Sequence, residues 1–266
     1  MDNRPLGVFD SGLGGLTCIG PLLQALPGER ILYFGDTART PYGSKSPDTI
    51  REFSLQIADY LVGQGAKMLV IACNTISSTA IEALRNRYPD IPVTGIIHPA
   101  ALEISRLCGP KNAIGIIGTK VTIQSRAYEE AVAQNSPGLH IHAKACPAFV
   151  PLIEEGIIEN EIMDLTVHHY LDDFIRYHRI DTLVLGCTHY PLIRENLAKA
   201  YPSLRIIDPA QTLALAVGEK LRQCDLLAET SGGPNVFGAS DLSENFVNMI
   251  HRIIKNRDFK IDLRKF

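Results

Sequence analysis

Two cysteines close two apolar runs in the same way. "MLVIACNT" stops on Cys73-Asn74-Thr75, and "TLVLGCTH" stops on Cys187-Thr188-His189. A thiolate is both nucleophile and base, and a helix N-terminus behind a thiol draws its pKa from about 8.5 toward neutrality. One such thiol would point to a covalent nucleophile, as in Cys–His hydrolases. Two thiols opposed across a cleft point elsewhere. One takes a proton from a carbon on one face, the other delivers a proton to the opposite face, and a stereocentre inverts. Action in both directions asks for two acid/base groups of one chemical type. Cys18, Cys108, Cys146 and Cys224 lie among apolar neighbours or in connections and read as small buried hydrophobes. No CxxC occurs, and Cys187-Thr188-His189 is too short a spacing for a zinc module, so no metal site is expected.

The elements that must position these thiols read as α/β. "LGVFDSGLGGL" begins as a strand, breaks at Asp10 into a Gly-rich turn and continues as a helix from about Leu16. "RILYFGD" is a strand ending at Asp36. "SPDTIREFSLQIADYLVGQG" is a helix with Ser46 as N-cap and Pro47 at the first helical position. Its apolar stripe is Ile50, Phe53, Ile57 and Leu61. "MLVIAC" is the next strand and "SSTAIEALRNRY" the next helix. The strands are continuous apolar runs, as in a parallel sheet covered on both faces, with the site expected at the strands' carboxyl ends.

The chain holds 266 residues, 45% of them hydrophobic and 21% charged, an ordinary globular composition. A net charge of −3 carries no basic footprint, which excludes nucleic acid as the main partner. The start "MDNRPLGVFDSG" lacks an apolar signal core, and no apolar run reaches the ~18 residues of a membrane span. A cytoplasmic protein without membrane contact is expected.

Three segments recur in order about 110 residues apart. "LGVFDSG" pairs with "AIGIIGT", "MLVIAC" with "TLVLGC", and "VTGIIHPA" with "LRIIDPA". Two similar α/β lobes related by an approximate twofold axis explain the repeat, and they set Cys73 and Cys187 at equivalent strand ends, facing each other across the interlobe cleft.

"GVFDSGLGG", "GDTARTPYG", "ACNT" and "GCTHYPL", in this order, resemble the cofactor-independent glutamate racemases over essentially the whole chain. That resemblance implies two lobes with parallel sheets, at 1–98 plus 208–266 and at 99–207. It implies that Cys73 and Cys187 are the acid/base pair, assisted by Asp10 and His189. Ser11, Asn74, Thr75 and Thr188 then supply donors and acceptors for the α-carboxylate and ammonium of the substrate. Tyr42 and Gly43 of "PYG" are candidates for a carboxylate, and Thr119 and Thr122 of "GTKVT" for the side-chain carboxylate. Glu154 matches an acidic position near His189, although Glu154 and Glu155 also fit a solvated helix face, as the two threonines fit a helix cap. Two residues depart from the family pattern: Ile76 stands where a small residue is usual, and Ala100 follows Pro99 where glycine is usual.

An α-proton is a very weak acid, and pyridoxal phosphate is the common remedy. No cofactor fingerprint is present: "GLGG" lacks GxGxxG spacing, no P-loop occurs, and Lys45, Lys67 and Lys120 read as surface residues. No cofactor is expected. The resemblance implies L- and D-glutamate as substrates, supply of D-glutamate for peptidoglycan, and, since family members often form dimers, a homodimer. A two-thiol aspartate racemase or isomerase of another carboxylate is the alternative enzyme, and a two-lobe binding protein the alternative class. His189 after the second Cys-Thr favours glutamate, because the aspartate relatives usually carry glutamate there.

Overall fold

The computed structural model describes residues 1–230, 232–254 and 258–266. Its strands, in chain order, are β1 (Leu6–Asp10), β2 (Ile31–Gly35), β3 (Met68–Ile71), β4 (Val93–Gly95), β5 (Ile114–Gly118), β6 (Ile141–Ala145), β7 (Thr182–Gly186), β8 (Arg205–Ile207), β9 (Asn235–Ala239) and β10 (Phe259–Leu263). Among the described residues they form two sheets, ordered β10-β9-β2-β1-β3-β4 and β6-β5-β7-β8, and every pairing is parallel. The order β2-β1-β3-β4 of the first sheet repeats as β6-β5-β7-β8 in the second. Even the register agrees: Leu6 pairs with Ile31 and Met68, and Ile114 pairs with Ile141 and Thr182. The repeat therefore extends to β2 and β6, a correspondence that the three matched segments did not include.

The apolar runs become strands because both sheets are covered on both faces. One core is shared between the lobes: helices Ile19–Ala25, Ile97–Leu107 and Pro209–Gln223 pack Leu22, Ile104, Leu213 and Val217 with Val8 and Val70 of the first sheet and Ile116 and Val184 of the second. A second core lies beneath Pro47–Gly63 on the far face of the first sheet, with Phe9, Leu69 and Ile71. A third lies beneath Glu161–His178 on the far face of the second, with Ile117, Leu183 and Leu185. A fully buried leucine or isoleucine contributes about 1.5–3 kcal/mol, so strands β1, β3, β5 and β7 are anchored from both sides.

Ser46 caps Pro47–Gly63 by accepting from the Thr49 N–H, and Ile50, Ile57 and Leu61 are buried on its stripe, with Phe53 packed at the margin. Several expectations need correction. The first helix is entered through a 3₁₀ turn at Gly14–Cys18 and is α-helical only over Ile19–Ala25. "SSTAIEALRNRY" belongs to two helices, Asn74–Thr79 and Ile81–Arg87, broken at Ala80 where φ is −119°. Lys67 is no surface residue: its ammonium is buried at 2.7 Å from the buried Glu29 carboxylate and donates to the carbonyls of Asp2 and Leu226. Lys120 is exposed and Lys45 half-buried. Cys18, Cys108 and Cys146 are buried, but Cys224 is exposed at the end of Pro209–Gln223. Ala100 sits inside Ile97–Leu107, where the backbone is helical and glycine would confer no advantage. Ile76 is fully buried against the second core. Among the described residues no helix is long and apolar enough to cross a membrane.

Candidate active site

Adjacency in the sheets assembles the site. β1 ends on Asp10 beside β3, after which Cys73 forms the N-cap of Asn74–Thr79. In the second sheet, β5 is followed by Thr119, the N-cap of Lys120–Gln124, and its neighbour β7 is followed by Cys187, Thr188 and His189. The carboxyl ends of the two sheets meet on one cavity, lined by Ser11, Tyr42, Gly43, Cys73, Asn74, Thr75, Thr119, Cys187, Thr188 and His189, together with Pro41 and Val150. Asp10, Thr122 and Glu154 stand behind that lining. The cavity measures about 10 Å³, room for about one water molecule. An amino acid needs far more room than this.

Each thiol is backed by its own chain of polar groups. Cys73 donates to the Ser11 hydroxyl at 3.6 Å, which in turn faces Asp10 Oδ1 at 3.5 Å. Cys187 Sγ lies 3.8 Å from His189 Nδ1, and His189 Nε2 lies 2.6 Å from Glu154 Oε1. Asp10 is held by the Gly12 N–H at 2.9 Å and by the Thr188 hydroxyl at 3.0 Å, a bond that joins the two lobes. Glu154 ends the helix Phe149–Glu154 and turns inward to His189, whereas Glu155 faces solvent. Gly14 is required here. A Cβ at that position would lie 2.3 Å from His189 Nδ1 and 2.6 Å from Thr188 Oγ1.

The polar surroundings of the two thiols differ. Burial pushes Cys73 up to about 12, and the neighbouring Asp10 charge adds to it, while the Ile76 N–H and Ser11 act in the opposite sense. This reverses the expectation that a helix N-terminus would lower the thiol pKa: one backbone N–H of a short helix does not offset removal from water. Cys187 precedes a 3₁₀ turn, Tyr190–Ile193, rather than an α-helix. Its partner His189 is pulled down by burial, but the hydrogen bonds to Cys187 and Glu154 dominate and raise it to about 10. The imidazole therefore carries its proton at neutral pH beside Cys187. Burial also raises Asp10, against the His189 charge and the Gly12 and Thr188 hydrogen bonds.

At the other end of the cavity Thr75, Thr119 and Thr122 form a triangle of hydroxyls 3.0–3.3 Å apart. Thr119 caps its helix by accepting from the Thr122 N–H, so the cap and the cluster are the same arrangement. The Tyr42 hydroxyl donates to Asp36, leaving its ring and the Tyr42–Gly43 backbone on the cavity. Gly43 packs so closely on the second lobe that a Cβ there would lie 2.5 Å from that of Thr119. Asp36 itself was read only as a strand end. It also accepts from Arg39 Nε and Ser240 Oγ, and so fixes the loop that carries Tyr42. Its place in "GDTARTPYG" was the available signal. Tyr128 and Val150, also near the site, had none.

Among the described residues no group of three or more His, Cys, Asp or Glu side chains is placed to hold a metal ion. Residues 16–217 match the family described as Asp/Glu/hydantoin racemase. A glutamate racemase of Geobacter metallireducens is 43% identical over 256 residues, covering 96% of this chain and 94% of that protein. One from Persephonella marina is 47% identical over 215 residues, covering 81% of this chain and 82% of that protein. The crystal structure of a Francisella tularensis glutamate racemase in complex with D-glutamate superposes with a TM-score of 0.91 at 36% identity, covering 100% of this chain and 98% of that one.

Proposed function

The chain belongs to the Asp/Glu/hydantoin racemase family, an isomerase of glutamate racemase type, and we propose that its cleft interconverts L- and D-glutamate without a cofactor, through Cys73 and Cys187. The observation that carries the two-thiol chemistry is the placement of both thiols, from equivalent strand ends of two repeated sheets, on one cavity. The division at 1–98 plus 208–266 and 99–207 is supported by sheet membership, since β1–β4, β9 and β10 form one sheet and β5–β8 the other. Parting of these lobes admits substrate, and closure excludes water.

The reaction moves one proton in and one out. A thiolate takes the α-proton, and the C–H electron pair passes into an enolate-like carboxylate. The opposite thiol then gives its proton to the other face of the carbon. By family resemblance Cys187 acts on L-glutamate and Cys73 on D-glutamate. The protonated His189 lies 3.8 Å from Cys187, where its charge stabilises the thiolate that acts as base on the L-enantiomer. Cys73 rests as the thiol that protonates the opposite face. For the D-enantiomer the same cycle runs backward: Cys73, left as a thiolate once it has protonated the carbon, takes the α-proton, and Cys187 returns to the opposite face the proton it had taken, with Ser11, backed by Asp10, beside Cys73. Asn74, Ser11, Thr75 and Thr188 hold the α-carboxylate and ammonium; donors on the carboxylate strengthen as it gains charge. Thr119, Thr122 and the Tyr42–Gly43 backbone receive the side-chain carboxylate. D-Glutamate from this reaction would serve peptidoglycan synthesis in the cytoplasm.

The test is optical rotation of L-glutamate or L-aspartate incubated with the purified protein and no pyridoxal phosphate. Glutamate rotation should decay to zero. Aspartate should racemise far more slowly, because a carboxylate one methylene short of its donors leaves them unpaired, at about 1–3 kcal/mol for each. Unchanged glutamate rotation, or equal rates on both acids, would overturn the reading.

A further inference from the structure

Asn74 begins the helix behind Cys73 and is 2% exposed. Its Oδ1 accepts a 2.6 Å hydrogen bond from the Tyr128 hydroxyl, while its Nδ2 is buried and has no hydrogen-bond partner among the described residues. A carboxamide has an acceptor end and a donor end, so fixing one aims the other. What fixes the orientation is the tyrosine. Tyr128 is 1% exposed, and among the described residues Asn74 is the hydroxyl's one hydrogen-bond partner. Burial raises its pKa far above the usual value, so the hydroxyl always keeps a proton to donate. Reversing the amide would set an N–H against this O–H and strand the proton without an acceptor. Nδ2 is thereby left as the donor end without a partner, on a residue that lines the cavity.

The bond also joins the lobes. Tyr128 projects from Ala127–Asn135, which follows β5, and its ring lies against Gly186 just before Cys187, where a Cβ would meet its Cε2 at 3.3 Å. Asn74 follows β3 of the other sheet. We propose that Tyr128 is a positioning residue that crosses the lobe boundary to lock the Asn74 carboxamide, so that Nδ2 donates to the substrate α-carboxylate when the lobes close. This rests on the reading of the cleft as a glutamate racemase site. No contact of Tyr128 with substrate is required.

Tyr128→Phe keeps the ring and removes the lock. Because the α-carboxylate gains charge as the proton leaves, the loss should fall on kcat more than on KM, with kcat/KM reduced about 10–100-fold. In an Asn74→Ala background the same change should cost less than about twofold, since no amide remains to orient. A merely structural tyrosine would give the same factor in both backgrounds, and that additivity would overturn the proposal. Should Tyr128→Phe fail to fold, the wild-type protein still decides: side-chain amide NMR should show both Asn74 Nδ2 protons shifting on saturation with D-glutamate, and unmoved resonances would refute the donation. Absence of glutamate racemisation by the wild type would fail the functional reading instead.

Discussion

Replacing Gly14 with alanine tests whether the Gly-rich turn is shaped by the packing of His189. The added Cβ would lie 2.3 Å from His189 Nδ1, 2.6 Å from His189 Cε1 and 2.6 Å from Thr188 Oγ1, where ordinary contact begins near 3.4 Å. The imidazole must therefore retreat by about 1 Å, which breaks its 3.8 Å approach to Cys187 or its 2.6 Å bond to Glu154. A 1 Å misplacement costs about 100-fold, or ~2.7 kcal/mol of transition-state stabilisation. Circular dichroism of glutamate turnover should show that fall in kcat/KM. The equilibrium constant between enantiomers is unity, so kcat/KM must fall equally in both directions. Asymmetry in this ratio can appear only in a half-reaction. With a β-chloro analogue of glutamate, elimination requires one proton abstraction, and Gly14→Ala should impair the L-analogue handled by Cys187 more than the D-analogue. Gly63→Ala, whose Cβ meets nothing within 4 Å, is the control. A Gly14→Ala enzyme with kcat/KM within about twofold of wild type would refute the geometry of the His189 relay.

Two other outcomes follow from buried charge. His189 is protonated below about 10, so raising pH through that value removes the positive charge beside Cys187 and kcat/KM should fall on an alkaline limb. Glu154 raises that pKa; Glu154→Gln should move the limb to lower pH, and an unmoved limb would count against the relay. Lys67→Met leaves Glu29 buried and unpaired, which should cost about 3–5 kcal/mol, while adding Glu29→Leu should restore much of it. A melting temperature unchanged by the single substitution would contradict this.

The sequence carried the site farther than the fold. Ser11, Cys73, Thr75, Cys187 and His189 lie at the ends of apolar runs, and strand adjacency brings them to one cavity, with Asp10 just behind its lining, because each run is short and terminates cleanly. β10, by contrast, is a half-exposed edge strand whose "FKIDL" lacks a continuous apolar signature. Lys67 looked like surface because its partner Glu29 is distant in sequence and comes near only through folding. The Cys73 shift was illegible for a similar reason: it depends on burial between two lobes, whereas the local sequence shows only a helix start. Tyr128 lies in an unremarkable amphipathic segment, and its bond to Asn74 spans the lobe boundary.

The central claim is that each enantiomer has its own thiol, and elimination from the β-chloro analogues by Cys73→Ser and Cys187→Ser tests it most directly. Serine is far too weak an acid to ionise near neutrality, so both variants should lose racemisation by several orders of magnitude. Cys73→Ser should still eliminate chloride from the L-analogue through Cys187, and Cys187→Ser from the D-analogue through Cys73. Serine at Cys18, Cys108, Cys146 or Cys224 should leave both reactions nearly intact. Near-normal racemisation by Cys73→Ser, or equal loss of both eliminations in each folded variant, would contradict the two-thiol account.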